Sequence, residues 1–279
     1  MKKVNYSIEN YKNLNSILIC PLCSNYLSID NNSLVCLNNH TFNISKKGTA
    51  ILYKTSRLKK DKLYDKNLFI NRRNFINSSF YDEIHSKIST IIKKYNNDII
   101  LDMGSGEGTH DYKIMQNLNT KSKIIGIDLS KDGIDLFNDY IDNNFHGIVA
   151  DLNNIPLKDE SIDIILNILS PSNENEMTRL LKRDGIIIKV TPKKQYLHEL
   201  RDVLNIKEYE NEDIIFNNIK NKYEILDKDE YIKTFDINEE EFNYLINMTP
   251  LLNNYKDIPK IDKITIALNI YVLRHKNEK

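Results

Sequence analysis

An α/β fold is what this sequence predicts, an open and mostly parallel sheet preceded by a small metal-stapled hairpin, and three observations predict it. Short apolar runs at residues 99–101, 124–127 and 148–150 end on Asp102, Asp128 and Asp151. Runs that are apolar on both faces mark buried parallel strands, which are joined through helices. A turn holding Gly104, Gly106 and Gly108 follows the first run. All three cysteines, Cys20, Cys23 and Cys36, fall near the N-terminus with His40 four positions beyond the last.

The cysteine pattern, C-x2-C-x12-C-x3-H, offers two close ligand pairs that a hairpin turning at residues 30–33 brings together. Thiolate and imidazole donors favour zinc, and four protein ligands leave no open position, so the predicted role of Cys20, Cys23, Cys36 and His40 is structural. The bland alternative is three reduced, buried cysteines beside an unrelated histidine. From Lys46 to Lys66 the chain carries eight Lys or Arg against only Asp61 and Asp65. Arg57, Lys59 and Lys60 in this strip, and Arg72 and Arg73 after it, are candidates for a nucleic-acid backbone. An exposed linker explains the strip equally well. Helix-spaced apolar residues from Phe75 through Phe80, Tyr81, Ile84, Ile88, Ile91 and Ile92 predict a helix leading into the first strand.

Three readings compete for the glycine turn, D-x-G-x-G-E-G at residues 102–108. A phosphate loop needs Lys followed by Ser or Thr, and neither is near. A dinucleotide fingerprint needs glycine at 109, where Thr stands, and Asp102 and Glu107 would repel a pyrophosphate. S-adenosylmethionine has no phosphate and carries a sulfonium and an ammonium group, so an acid-bearing glycine turn suits it. The turn resembles the first motif of Rossmann-like methyltransferases. Asp128 stands where a second strand-end carboxylate grips ribose hydroxyls, and Asp151 would complete the crevice, although aspartates there also cap helices.

Residues 162–168 predict a fourth strand, followed by Ser170 and Pro171. That loop either faces the methyl acceptor or is only a Pro turn that stops the strand. A helix over 173–181, a turn at 183–185, a fifth strand at 186–190 and Thr191-Pro192 come next. Two late strands, near 225–235 and 264–273, flank an acidic helix around 239–247 and give the sheet an antiparallel end.

At 279 residues the chain can bury a sizeable core. Lys+Arg and Asp+Glu are both 39, yet residues 1–98 carry a net +9 and the remainder −9. A basic N-terminal third suggests an anionic partner, with ordinary solvated charge as the default. No apolar stretch approaches the roughly 18–20 residues that cross a membrane, and the first ten residues lack a secretory core, so a cytoplasmic location is expected.

Ribbon and core together resemble the RlmA-type 23S ribosomal RNA (guanine-N1)-methyltransferases. The resemblance rests on Cys20-Pro21-Leu22-Cys23, Cys36, His40, Phe42, Lys47-Gly48, Arg72-Arg73-x-Phe75, the glycine turn, Gly126, Asp128, Ser130, Thr191-Pro192 and Met248-Thr249-Pro250. It implies a class I methyltransferase with a seven-stranded mixed sheet over 99–279, a ribbon for RNA recognition over 1–45 and a basic linker with lead-in helices over 46–98. It further implies a homodimer with a basic cleft, and methyl transfer from S-adenosylmethionine to N1 of a guanine in a 23S rRNA hairpin. Tyr81 and the Gly106-Glu107 pair would touch the cofactor, with Tyr196 replacing a family histidine. Asp102, Gly104, Gly108, Asp128 and Asp151 complete the expected cofactor set. No general base is named; Asp151 is one candidate, His198 and Glu199 lie in a segment that could cover the site, and Ser170 and Pro171 are catalytic candidates that would face the target base. Rival readings are a small-molecule methyltransferase with a purely structural ribbon, and a non-catalytic RNA-binding module.

Overall fold

The computed structural model describes residues 1–53, 64–118, 121–206, 211–252, 255 and 257–276. Strands β1 (Leu27–Asp30) and β2 (Ser33–Cys36) form the expected hairpin, with Asp30 opposite Ser33 and Asn31 at φ 52° in the two-residue turn. Asn tolerates that positive φ, which such turns demand. Strand β3 (Thr41–Asn43) pairs with β2 and completes a three-stranded ribbon.

The large sheet contains β4 (Ile99–Met103), β5 (Lys123–Asp128), β6 (Phe145–Val149), β7 (Ile162–Ile168), β8 (Leu181–Pro192), β9 (Tyr223–Asp236) and β10 (Lys263–His275). Their order is β6-β5-β4-β7-β8-β10-β9; the first five are parallel and β10 is antiparallel to both neighbours, the seven-stranded mixed sheet with an antiparallel end that the sequence predicts. The chain runs outward from β4 to β6 and then returns to β7 on the other side of β4. A sheet that reverses direction there opens a crevice at the carboxyl ends of β4 and β7, where open α/β folds hold ligands.

Alternation along the strands gives the sheet two apolar faces. Ile100, Ile164, Leu166 and Ile188 pack with α3 (Asp82–Ile92) and with the late helix Glu239–Met248. Leu101, Ile125, Ile165 and Ile187 join the same cluster as Leu18, Leu27 and Leu34 of the ribbon. The ribbon is therefore continuous with the core of the sheet. Helix α1 (Lys3–Asn13) has no counterpart among the sequence expectations. It docks through Tyr11, 4.4 Å from the His146 ring, and through Asn10 Nδ2, 2.7 Å from the Asp142 carbonyl.

Three expectations need correction. The first part of the basic strip is docked, because Ala50 and Leu52 hydrogen-bond Val149 and cover the edge of β6. Lys47 and Thr49 reach Asp135 at 3.0 and 2.7 Å. An uncovered edge strand invites pairing with other chains, and this segment fills it. The lead-in helix is two helices, α2 (Lys66–Phe75) and α3, separated by a wide turn in which Ser79 has φ 68°. Ser78 and Ser79 break the helix, and the break turns Tyr81 inward and sets Phe75 4.9 Å from Phe80. Lastly, β6 ends at Val149, and residues 183–185 lie within β8 as an irregularity of register.

Candidate active site and metal centre

The ribbon brings its four predicted ligands together. His40 Nδ1 lies 3.5 Å from Cys20 Sγ and 3.4 Å from Cys36 Sγ, with 3.6 Å between Cys23 and Cys36 sulfurs. All four ligand atoms lie within 4.8 Å of one another. A tetrahedral ion with Zn–S of about 2.3 Å fits inside that set, since its sulfurs stand about 3.8 Å apart. The Leu22 backbone N–H and Asn25 Nδ2 each point at a cysteine sulfur from 3.4 Å, the outer-shell bonding that steadies metal thiolates. Ser24 and Asn39, at φ 60° and 62°, make the tight turns that fold each ligand pair back on itself. The donor set and its geometry are those of structural zinc.

At the sheet's carboxyl edge the glycines divide their work. Gly104, Gly106 and Gly108 all have positive φ, at 85°, 57° and 79°. A side chain at Gly104 would meet Ser170 at 2.7 Å, and one at Gly108 would meet the Phe137 ring at 2.4 Å. The same ring would strike a Cβ on Gly126 at 2.1 Å or on Gly147 at 2.8 Å. Gly108, Gly126 and Gly147 thus make a slot for Phe137, the last residue of α5 (Lys131–Phe137), a packing role that the sequence reading missed. Gly106 is buried beneath α2, with Phe69 and Arg72 at 3.4 and 3.5 Å from where a Cβ would sit.

Acids are concentrated beneath this turn. Asp128 accepts the Gly106 N–H at 2.9 Å and the Ser130 N–H at 2.7 Å, so it ties the turn to the end of β5. Asp102 is buried with an unpartnered Oδ1, beside the fully buried Asp111 of α4 (Thr109–Leu118). Burial, with Asp128 near, pushes Asp102 up to about 7, and burial beside Asp102 raises Asp111 well above the usual carboxylate range. A cationic group is the natural occupant of the space above such a pair. Glu107 turns inward to Thr109 Oγ1 and to Arg73 Nε at 3.5 Å, so its backbone, not its carboxylate, faces the crevice.

Tyr81 and Tyr196, expected on the same side, meet hydroxyl to hydroxyl at 2.7 Å. Behind Tyr81 lies a second pair that the sequence did not reveal, His85 Nε2 and His110 Nδ1 at 2.8 Å. Burial lowers His85 to about 4 and lowers His110 as well, so both rings are neutral and one donates to the other. Ser170 donates to the Met103 carbonyl at 2.6 Å and accepts from Asn167 Nδ2 at 2.6 Å. Its hydroxyl holds the loop against β4, while Asn167 also bonds the Pro171 carbonyl at 3.0 Å and accepts from Lys189 Nζ. Burial brings Lys189 down to about 8. Asp151 accepts from Asn153 N–H and Nδ2 at 2.9 and 3.0 Å, the local turn bonding weighed against its ligand role.

Arg57, Lys59 and Lys60 lie outside the described residues. Arg73, expected on RNA, is engaged within the protein through Asp139 at 2.9 Å, the Leu136 carbonyl at 2.6 Å and Glu107, with its guanidinium 4.7 Å from the Tyr140 ring centre. Helix α2 runs over the glycine turn, which puts both arginines beside the crevice.

A family model described as "Methyltransferase domain" matches residues 94–248, and one described as "RlmA, N-terminal" matches residues 18–52. YxjB of Bacillus subtilis, assigned as a 23S rRNA (guanine-N(1)-)-methyltransferase, is 34% identical over 259 residues, covering 85% of this chain and 86% of that protein. The chain belongs to the RlmA-type 23S rRNA (guanine-N1)-methyltransferase family. The 23S rRNA (guanine(748)-N(1))-methyltransferase of Streptomyces fradiae is 21% identical across 94% of this chain and 98% of its own length. Like its family, the chain is an S-adenosylmethionine-dependent methyltransferase with a zinc ribbon. The residues at this edge fit that cofactor, with a positive-φ glycine turn and buried acids for its cationic groups.

Proposed function

We propose that this protein methylates N1 of a guanine in a hairpin loop of 23S rRNA. The observation that carries the reading is the union, in one core, of a Cys3His ribbon with an acid-bearing glycine turn, in a chain that spans nearly the whole of a relative named for that reaction. Bound S-adenosylmethionine supplies an electrophilic methyl group. The chain's part is to fix the cofactor and admit the base in line with it, because alignment removes most of the entropic barrier. Gly104, Gly106 and Gly108 give the turn the positive φ that shapes it around the cofactor, Asp102 favours its cationic end, Asp128 and Asp151 take the adenosine, and Tyr81 with Tyr196 closes the methionine side.

Ser170 and Pro171 border the acceptor side, braced by Asn167. The ribbon and the basic strip with Arg57, Lys59 and Lys60 present the RNA, whose phosphates such side chains neutralise. Assembly as a homodimer would double this basic surface, and a cytoplasmic location puts the protein with ribosomes. The division into ribbon (1–45), linker with lead-in helices (46–98) and catalytic unit (99–279) belongs to the same proposal. The test is mass spectrometry of 23S rRNA digests from cells with and without the gene. N1-methylguanosine at one hairpin position is expected only with it, and identical digests would refute the assignment.

A further inference from the structure

Arg72 is the unexplained cation of this crevice. Its neighbour Arg73 is fully bonded, yet Arg72, half-buried on α2, has no hydrogen bond or ion pair among the described residues and only the Phe69 ring, 5.5 Å away, beneath it. Its Nη1 lies 3.5 Å from the point where a Gly106 side chain would begin. Its charge acts on Glu107, Asp128, Tyr81, Tyr196 and His110, which surround the crevice. The acids that could neutralise it are committed elsewhere, Glu107 to Thr109 and Arg73, Asp128 to the N–H groups of Gly106 and Ser130.

A half-buried guanidinium whose five donors meet no acceptor among the described residues is free to be completed by an anion. S-adenosylmethionine has one anionic group, the carboxylate of its methionine end. The surrounding acids suit the sulfonium and ammonium but would repel that carboxylate, so one cation must offset them. A guanidinium does so with two parallel N–H···O bonds, in a fork that matches a carboxylate. Resting on the cofactor site proposed above, we infer that Arg72 is the carboxylate clamp of the cofactor, reading the amino-acid end of S-adenosylmethionine from over the Gly106 turn. This replaces the RNA contact that the sequence suggests for Arg72.

Calorimetry with S-adenosylmethionine and with its decarboxylated form, which keeps adenosine, sulfonium and ammonium, separates the possibilities. The wild type should prefer the carboxylated ligand by about 10- to 100-fold, the range for a hydrogen-bonded charge. Arg72→Ala should abolish that preference and leave the decarboxylated ligand's affinity unchanged, and Arg72→Lys should restore part of it. Equal weakening of both ligands in Arg72→Ala would overturn the clamp in favour of a structural role. Unchanged cofactor binding with lost affinity for an rRNA hairpin would overturn it in favour of the RNA contact. If the wild type binds neither ligand, the cofactor site itself is misassigned and the clamp falls with it.

Discussion

The ribbon and the carboxyl edge of the large sheet solve the same problem, holding a few polar atoms in a fixed geometry, by opposite means. In the ribbon, four soft ligands converge on one point and a metal supplies the organising energy, so spacing in the sequence nearly determines the site. At the sheet edge no single group organises the whole. Backbone shape at Gly106, the buried carboxyl pair of Asp102 and Asp111, and a hydroxyl pair at Tyr81 and Tyr196 are each positioned by packing from distant parts of the chain. The ribbon can therefore be lost by one substitution, whereas the edge should fail by degrees.

The largest expected effect comes from the metal. Structural zinc contributes on the order of 10 kcal/mol in small domains. Because Cys20, Cys36 and Leu34 share a cluster with Leu101 and Ile125, chelation or Cys23→Ser should lower the unfolding temperature of the whole chain in one transition. A separate early step, with the sheet melting unchanged, would show that the two regions are energetically independent. Next in size is the Phe137 slot. Gly126→Ala forces a Cβ into the ring, and overpacking of this kind costs roughly 1–3 kcal/mol, measurable by denaturant titration. Phe137→Leu in the same chain should recover part of the loss, and a Gly126→Ala chain as stable as wild type would contradict the slot.

Tyr196→Phe removes the partner of the buried Tyr81 hydroxyl, a loss of about 1–3 kcal/mol if the group stays dry. Cofactor affinity should fall with it while zinc content stays constant; a fall in both would erase the contrast between the regions. The subtlest effect is on pH. Burial raises Asp102 from 3.8 to about 7, so between those values the folded protein binds more protons than the unfolded chain. Cofactor-free wild type should therefore lose stability relative to Asp102→Asn as pH climbs from 3.8, levelling off above about 7. A difference that does not vary with pH would mean that Asp102 is ionised throughout.

Legibility in the sequence follows the same divide. The Cys3His spacing, the hairpin turn, the five parallel strands and the antiparallel end were readable because each is a local pattern or a run of apolar residues. The break at Ser78 and Ser79 was not, since the apolar spacing continues across it and only the inward turn of Tyr81 requires it. Arg72 and Arg73 look identical as letters. Their difference, one bonded to Asp139 and Leu136 and the other facing Gly106, depends on how α2 lies over α5. The Phe137 slot and the Lys189–Asn167–Ser170 chain join residues brought together only by strand order.

The most direct test is to incubate purified protein with S-adenosylmethionine and a 23S rRNA hairpin fragment, then locate the modified base by mass spectrometry. Wild type should place one methyl on guanine N1, and Asp128→Ala, which releases the Gly106 turn, should place it markedly more slowly. Methyl on any other atom, or undiminished transfer by Asp128→Ala, would contradict a reaction run from this edge of the sheet.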